Sequence, residues 1–318
     1  MTFKMIIDDL RANKNIVERK YGDISSFNFS ASAFFNKIWD EQTVKARGLY
    51  INTKTGKVVA RSYDKFFNIG ERPETQMDAL KNTIEFPVQA YEKENGFLGI
   101  MAYDKETKDF IITSKSAMDS EYAEWFKDIF YSTTNAKTRE GIKFFLEQHN
   151  VSAVFEVLDP VHNPHIIDQP KQKIVVLDLV RNTIETEIMP YRVTQLFCFT
   201  FGLPCKKLRK TLNTWKEFED FVNETHNSIR QVEGYVLVDS NGYMLKVKTN
   251  YYRTWKYLRT ISERVRTGKY IKEQPLSSQI MKDFCEWCRN NVEVLGEDIT
   301  KLRLRFYGDM GEDYDGIY

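Results

Sequence analysis

Nine short β-rich runs crowd the chain before residue 250, and none follows it. They are VKARGLYIN and KVVARSY around the turn Lys54-Thr55-Gly56, then EFPVQAYEK, FLGIMAYD, FIITSK, AVFEVLD, KIVVLDLV, EGYVLVD and YMLKVKT. Each run carries a row of backbone N–H and C=O groups that only a neighbouring strand can pair, so the runs must assemble into sheets. Helical patterns near residues 3–20, 120–131, 137–149, 190–200 and 213–226 interrupt them. The expected class is therefore α+β with antiparallel sheets. Beyond residue 250 two amphipathic patterns continue alone: Trp255, Leu258, Ile261 and Val265, then Leu276, Ile280, Phe284 and Trp287. A mixed domain over 1–250 and a small helical C-terminal domain over 251–318 are expected.

With 42% hydrophobic and 29% charged positions among 318 residues, the chain can bury a sizeable core, which excludes disordered, collagen-like and coiled-coil classes. Its 46 Lys plus Arg nearly cancel its 45 Asp plus Glu, so no overall basic field marks a polyanionic partner. The sum conceals a local excess. Nine basic residues (Lys246, Lys248, Arg253, Lys256, Arg259, Arg264, Arg266, Lys269 and Lys272) face only Glu263 and Glu273 in that stretch, while Asp309, Glu312, Asp313 and Asp315 make the end acidic. Taken alone, such a run reads as a solvated helix face more often than as a phosphate track. Four cysteines suit a reducing compartment. Charge interrupts the opening MTFKMIIDDLRANK too early for a secretory leader, and no run reaches the ~20 apolar residues of a membrane span. A cytoplasmic protein without a membrane partner is expected.

The most informative stretch runs from Glu233 to Lys248, two β-rich runs around Asn241-Gly242. A two-residue loop there predicts Tyr235 opposite Lys248 and Leu237 opposite Lys246, with Glu233 on the same side. Val236, Val238, Leu245 and Val247 would then form the core face. The other face would gather a carboxylate and two ammonium groups, an arrangement that a solvent-facing hairpin also produces by chance.

Four further stretches add weight. Lys93 lies in Glu92-Lys93-Glu94-Asn95-Gly96 between two strand runs, Phe155-Glu156 ends an apolar run, and Lys173-Ile-Val-Val-Leu-Asp178 and Lys246-x-Lys248 follow in order. The series KENG, FEVLDP, KIVVLDLV, EGYVL and LKVK resembles motifs I, III, IIIa, IV and V of the covalent nucleotidyltransferases, the superfamily of ATP-dependent ligases and capping enzymes. Lys45-Ala-Arg47-Gly48, Ala60-Arg61-Ser-Tyr-Asp-Lys65-Phe66-Phe67-Asn68 and Thr113-Ser-Lys115-Ser116 are similar to segments of the bacteriophage RNA ligase 1 family. Its relatives are the adenylyltransferase domains of fungal tRNA ligases. The resemblance covers roughly residues 40–252.

That resemblance implies a nucleotidyltransferase fold with antiparallel sheets flanking a nucleotide pocket. It implies an ATP-dependent RNA ligase that joins 5′-phosphate and 3′-hydroxyl ends through a lysine–AMP intermediate in tRNA or other RNA repair, with Mg2+ or Mn2+. Lys93 matches the nucleophile, and Lys246 and Lys248 the catalytic lysines of motif V. Arg47, Lys65 and Lys115 resemble the basic residues around the ATP phosphates. Glu156 matches the glutamate at the ribose or metal, Glu233 the metal-supporting glutamate, and Tyr252 a tyrosine following motif V. Phe66 and Phe67 are candidates to pack on the nucleotide. Motif IIIa offers aliphatic residues such as Leu177 where many relatives have an aromatic one, which leaves the base contact open.

The chemistry sets a demand on Lys93. An unperturbed lysine has a pKa near 10.4, so at pH 7 about one in 2,500 is neutral, a handicap of roughly 4–5 kcal/mol. Positive neighbours such as Lys246, Lys248 and a divalent cation disfavour the ammonium form and stabilise charge on the α-phosphate. A carboxylate alone would act the other way, so Glu233 is expected to be paired with a metal or an ammonium group.

The alternatives within the superfamily are a DNA ligase and a GTP-using capping enzyme, which usually carry a β-barrel after motif V where this chain reads as helices. A catalytically silent RNA-binding scaffold should have lost Lys93, Glu156, Glu233, Lys246 or Lys248, and all are present. No G-x-x-x-x-G-K-[ST] occurs, so an end-healing kinase or phosphatase is expected on a separate protein. His162-Asn-Pro-His165 reads as a turn, and none of the four histidines is expected to be catalytic. Cys285-x-x-Cys288 reads as helix packing and Lys206-Lys-Leu-Arg-Lys210 as a solvated connector.

Overall fold

The structure is a computed structural model describing residues 3–269 and 278–311. Lys272, Glu273, Leu276, Glu312, Asp313 and Asp315 lie outside the described residues. Along the chain, α1 (Phe3–Ala12), β1 (Ile16–Tyr21) and β2 (Ile24–Phe29) precede α2 (Ala31–Phe35), α3 (Glu41–Lys45), β3 (Leu49–Asn52) and β4 (Lys57–Arg61). Next come β5 (Phe67–Asn68), α4 (Met77–Thr83), β6 (Val88–Glu92), β7 (Phe97–Asp104), β8 (Asp109–Ser114), α5 (Glu121–Thr133) and α6 (Ala136–His149). Then follow β9 (Val151–Leu158), β10 (Lys173–Arg181), α7 (Tyr191–Phe201), β11 (Leu208–Leu212), α8 (Trp215–Asn227), β12 (Gly234–Val238) and β13 (Met244–Lys248). The last described elements are α9 (Asn250–Arg266), α10 (Gln279–Asn290) and α11 (Ile299–Met310). The expected α+β class and the helical character after residue 250 both appear.

The described residues form two compact units, each drawn from distant parts of the chain: 3–66, 96–159 and 171–206 in the first, 67–95, 160–170, 207–269 and 278–311 in the second. Compactness therefore follows a different line from the pattern change at residue 250, because α9 to α11 belong to the second unit along with β6, β12 and β13.

The first unit holds two antiparallel sheets, ordered β1-β2-β3-β4 and β10-β9-β7-β8. Strand β9 lies inside its sheet and is buried at every position. By strand alternation, Val151, Ala153, Phe155 and Val157 join Phe126, Phe130, Ile142 and Phe197 of α5, α6 and α7 in one core. Each large side chain there contributes on the order of 1.5–3 kcal/mol. Ser152, Val154 and Glu156 fall to the opposite face, where the Arg61 N–H donates to Ser152 Oγ at 3.0 Å. Helix α1 is shorter than the expected 3–20. The Asn15 N–H donates to Asn13 Oδ1 at 3.0 Å, a side-chain turn that ends the helix and frees Ile16–Tyr21 to pair with β2.

The second unit is built on a five-stranded sheet ordered β11-β6-β12-β13-β5, with β5 parallel to β13 and the other pairs antiparallel. The hairpin register differs by one residue from the expected one. Gly234 faces Lys248, Val236 faces Lys246 and Leu237 faces Leu245. The loop is longer than two residues: the Asp239 N–H donates to Tyr243 O, and Asp239 Oδ1 accepts from the N–H groups of Asn241 and Tyr243. Asp239 thus moves the turn, and with it the core face. Leu237, Leu245 and Val247, not Val236 and Val238, pack with Leu80 of α4 and Phe218 of α8. Helices α9 to α11 close around Trp255, Leu258, Phe284 and Phe306, with Cys285 and Cys288 buried among them as expected. The Arg303 guanidinium is buried there and donates to Ile166 O at 2.8 Å. Among the described residues no helix is long and apolar enough to cross a membrane.

Candidate active site

Strand β6 ends at Glu92, and the next N–H, that of Lys93, donates to Gly234 O at 2.9 Å. The main-chain ladder thereby carries Lys93 to the start of β12. Gly234 has φ +144°, and a Cβ on it would lie 2.0 Å from Val247 O. Only glycine lets the strands approach this closely. Beside it Glu233 is 3% exposed, and its carboxylate is held on several sides. Lys93 Nζ lies 3.0 Å from Oε2, Lys248 Nζ lies 3.1 Å from Oε1, and Asn95 Nδ2 donates to Oε2 at 2.7 Å.

Burial of a lone carboxylate costs several kcal/mol, so this pairing is what permits Glu233 to stay charged. Burial pushes its pKa up, the ammonium groups of Lys93 and Lys248 push it down, and it ends below the usual carboxylate range. Lys248 is lowered by burial and by the charges of Lys256 and Lys93, against the pull of Glu233. Its Nζ lies 4.4 Å from the centroid of the Tyr252 ring, a cation–π contact. Tyr252 is fixed by the first turn of α9, where Thr249 caps the helix by accepting its N–H at 3.1 Å. Lys246 stands two positions before Lys248 on the same side of β13, facing Val236 on one flank and Asn68 on the other.

Two neighbours were not legible as site residues. Asn95 Oδ1 accepts the Ile167 N–H at 3.0 Å, tying the 160–170 segment to the Glu233 carboxylate. His165 in that segment has a buried Nε2 with no hydrogen-bond partner among the described residues. Burial lowers its pKa, with Glu233 opposing and Arg259 and Lys93 adding to the shift.

In the first unit, Glu156 Oε1 accepts the Gly96 N–H at 2.9 Å. A Cβ on Gly96 would lie 2.1 Å from Val157 O. Gly96→Ala must therefore push backbone against backbone, and a fall in melting temperature of at least about 5 °C is expected in thermal denaturation. Arg47 Nη1 donates to Tyr63 O at 3.3 Å, and its guanidinium lies 5.9 Å from the Phe66 ring. Burial lowers the pKa of Arg47, which Tyr63 and Glu156 oppose. Burial and the charge of Arg47 lower Lys115 as well, and its Nζ lies 5.2 Å from the Phe29 ring. Lys65 Nζ donates to Phe66 O at 3.1 Å and lies 5.1 Å from the Trp39 ring. Desolvated cations suit an anionic ligand.

A family model described as RNA ligase matches residues 45–252, well over half of the chain. The chain belongs to the RNA ligase family. This family member is 24% identical over 324 residues to a tRNA ligase of Candida albicans, with 85% of this chain and 38% of that protein covered. It is 29% identical over 135 residues to tRNA ligase 1 of Schizosaccharomyces pombe, covering 38% of this chain and 17% of that one. The chain thus spans well under half the length of these two curated relatives. Among solved structures, an archaeal ATP-dependent RNA ligase superposes with a TM-score of 0.57 at 15% identity, over 95% of this chain and 77% of the other. That likeness carries the fold, which is the nucleotidyltransferase fold expected of the resemblance.

Of the residues singled out in this RNA ligase family member, the second unit brings Lys93, Glu233, Lys248 and Tyr252 together, with Lys246 beside them. The first unit holds Arg47, Lys65, Lys115 and Glu156. The expectation that Glu233 pairs with an ammonium group is met twice over. Among the described residues no cluster of three His, Cys, Asp or Glu gathers to hold a metal. Phe66 meets Tyr63 edge-on, Phe67 is buried under Arg72, and Leu177 is half-buried at a bulge of β10. Lys206 corrects the solvated-connector reading. It is buried, with Nζ 2.6 Å from Asp178 Oδ1, and Asp178 Oδ2 accepts from the Tyr63 hydroxyl at 2.6 Å. No spacing in the sequence announces that network.

Proposed function

We propose that this chain is an ATP-dependent RNA ligase that seals 5′-phosphate to 3′-hydroxyl RNA ends, in tRNA or other RNA repair, through AMP carried on Lys93. The reading is supported above all by the Lys93–Glu233–Lys248 cluster, whose three residues fall within the matched span 45–252. Residues 1–250 would act as the adenylyltransferase domain and 251–318 as a helical accessory domain. The neutral Lys93 amine attacks the α-phosphorus of ATP: an N–P bond forms, the bond to the β-phosphate oxygen breaks, and pyrophosphate leaves. Lys246 and Lys248 meet charge that builds on the α-phosphate, and Arg47, Lys65 and Lys115 hold the other phosphates. Tyr252 braces Lys248 through its ring face.

Glu233 and Glu156 each offer a hard oxygen donor of the kind that Mg2+ or Mn2+ takes alongside substrate phosphates. Such an ion, bound with ATP, would supply positive charge at the phosphates. AMP then passes to the RNA 5′-phosphate, and the 3′-hydroxyl displaces it. The setting proposed is cytoplasmic, with end healing by a separate kinase or phosphatase.

The test is incubation with labelled ATP or labelled GTP and magnesium or manganese. A covalent adduct from ATP that peptide mapping places on Lys93 is expected, followed by transfer to 5′-phosphorylated RNA. An adduct from GTP and none from ATP overturns the reading.

A further inference from the structure

The basic run between residues 246 and 275 is not absorbed by the adenylylation chemistry, and the fold divides its described members unevenly around α9. Arg253, Lys256, Tyr257 and Thr260 recur at helical spacing and share one side of that helix. With Lys246 and Lys248 of β13 and with His226 of α8 they line an open cavity of about 420 Å³, bordered also by Asn68 and Ile69. Among the described residues no Asp or Glu lines it. The neighbouring cavity, of about 820 Å³, is different in kind. It is lined by Arg259, Arg264, Arg266 and Lys269 together with Glu263, Glu297 and Asp298. There both signs are present and acids are paired, Glu263 with Arg266 at 2.7 Å and Glu297 with Arg305, outside the lining, at 2.8 Å.

A plain solvated helix face would mix the signs on both sides. Here Arg253 and Lys256 stand beside Lys246 and Lys248 on a described lining that holds no acid, so an incoming anion meets positive charge on that side of the helix. Arg253 is held in place, since its Nη2 donates to His226 O at 2.7 Å. Arg253, Lys256 and Thr260 are all exposed, so a polymer can reach them. Lys248 joins the two regions, because it touches the Glu233 carboxylate that Lys93 touches and also lines the cavity. An anion that ends at Lys93 and continues along α9 must be extended and repeatedly charged.

We infer that the cavity between β13 and α9 binds phosphates of an RNA strand whose end is presented to Lys93, with Arg253 and Lys256 touching the strand outside the catalytic cluster. This rests on the ligase reading for the identity of the strand, but not for the presence of the phosphate site. Interactions of this type position the strand and carry no base specificity.

The experiment compares wild type with Arg253→Ala/Lys256→Ala and with Lys256→Ala. Lys–AMP formation from ATP is measured without RNA. Binding of a fluorescent single-stranded RNA oligonucleotide, 5′-phosphorylated or 5′-hydroxyl, is then measured across a KCl series. Adduct formation by both variants is expected within about twofold of wild type. RNA affinity of the double variant should fall about tenfold or more, and its log–log salt slope should drop by about 1.4, near 0.7 for each phosphate no longer neutralised. Equal losses with both oligonucleotides assign the site to internal phosphates, and a loss confined to the 5′-phosphorylated one assigns it to the terminal phosphate. An unchanged slope in the double variant overturns the inference. If the double variant unfolds, Lys256→Ala, which removes one exposed side chain, must still reduce the slope by about 0.7, and no change there overturns it equally. Absence of an adduct in wild type would instead count against the ligase reading, while the salt slopes still judge the phosphate site.

Discussion

Lys93→Ala is expected to reduce the covalent ATP adduct to background, and RNA sealing that starts from ATP by at least about 10³-fold, because the variant has no amine to accept AMP. Arginine at the same position should fail as well, since a guanidinium stays protonated and cannot attack phosphorus. The fold should survive both changes. Lys93 reaches the sheet through its backbone N–H, which any non-proline residue supplies, and its side chain sits at the partly exposed edge of the cluster at 21% exposure. Pre-adenylylated RNA offers a check on the mechanism, because it bypasses the first step. A Lys93→Ala protein should still join such RNA, using Lys246 and Lys248 for the phosphate. Retention of the ATP-derived adduct in Lys93→Ala would sink the assignment of the nucleophile.

Glu233→Gln is expected to cost about 3 kcal/mol, because it removes the buried carboxylate that both Lys93 and Lys248 contact. The two ammonium groups are about one-fifth exposed, so solvent softens the loss to the lower end of what a broken buried pair costs. In a chain of 318 residues the melting midpoint should fall by roughly 4–5 °C at pH 7. The pH dependence follows from the carboxyl's depressed pKa, which lies below its ordinary value near 4.5. Stability from Glu233 is fully present above that ordinary value and is lost as pH falls through the depressed one. The melting gap between wild type and Glu233→Gln should therefore be wide at pH 7 and close in strong acid. A gap of equal size at both ends of the range would contradict the charge pairing seen here.

Strand and helix positions were largely legible, because hydrophobic runs such as FLGIMAYD end where β7 ends. The failures have local causes. Asp239 holds a longer turn than Asn241-Gly242 implies, and this single carboxylate shifts the register by one and exchanges the core face of β12, while Leu245 and Val247 of β13 stay in the core. Even so, Lys246 and Lys248 keep a common face, since a spacing of two survives any slip. Glu233 reaches Lys248 because Gly234 at φ +144° breaks the alternation, not because alternation continues. The contributions of Asn95 and His165 were hidden because both depend on neighbours across long stretches of sequence, such as Asn95 with Glu233, 138 positions apart. The short α2, α3 and α4 escaped notice for want of enough turns to show a period.

That same separation has a bearing on biosynthesis. The sheet that seats Lys93 needs β12 and β13, so on the ribosome the amine emerges long before its carboxylate partner is made, by about 7–28 s at ordinary translation speeds. On the proposed mechanism, a nascent chain stalled anywhere in that interval would carry Lys93 without the groups that hold it, and would be unable to charge itself with nucleotide.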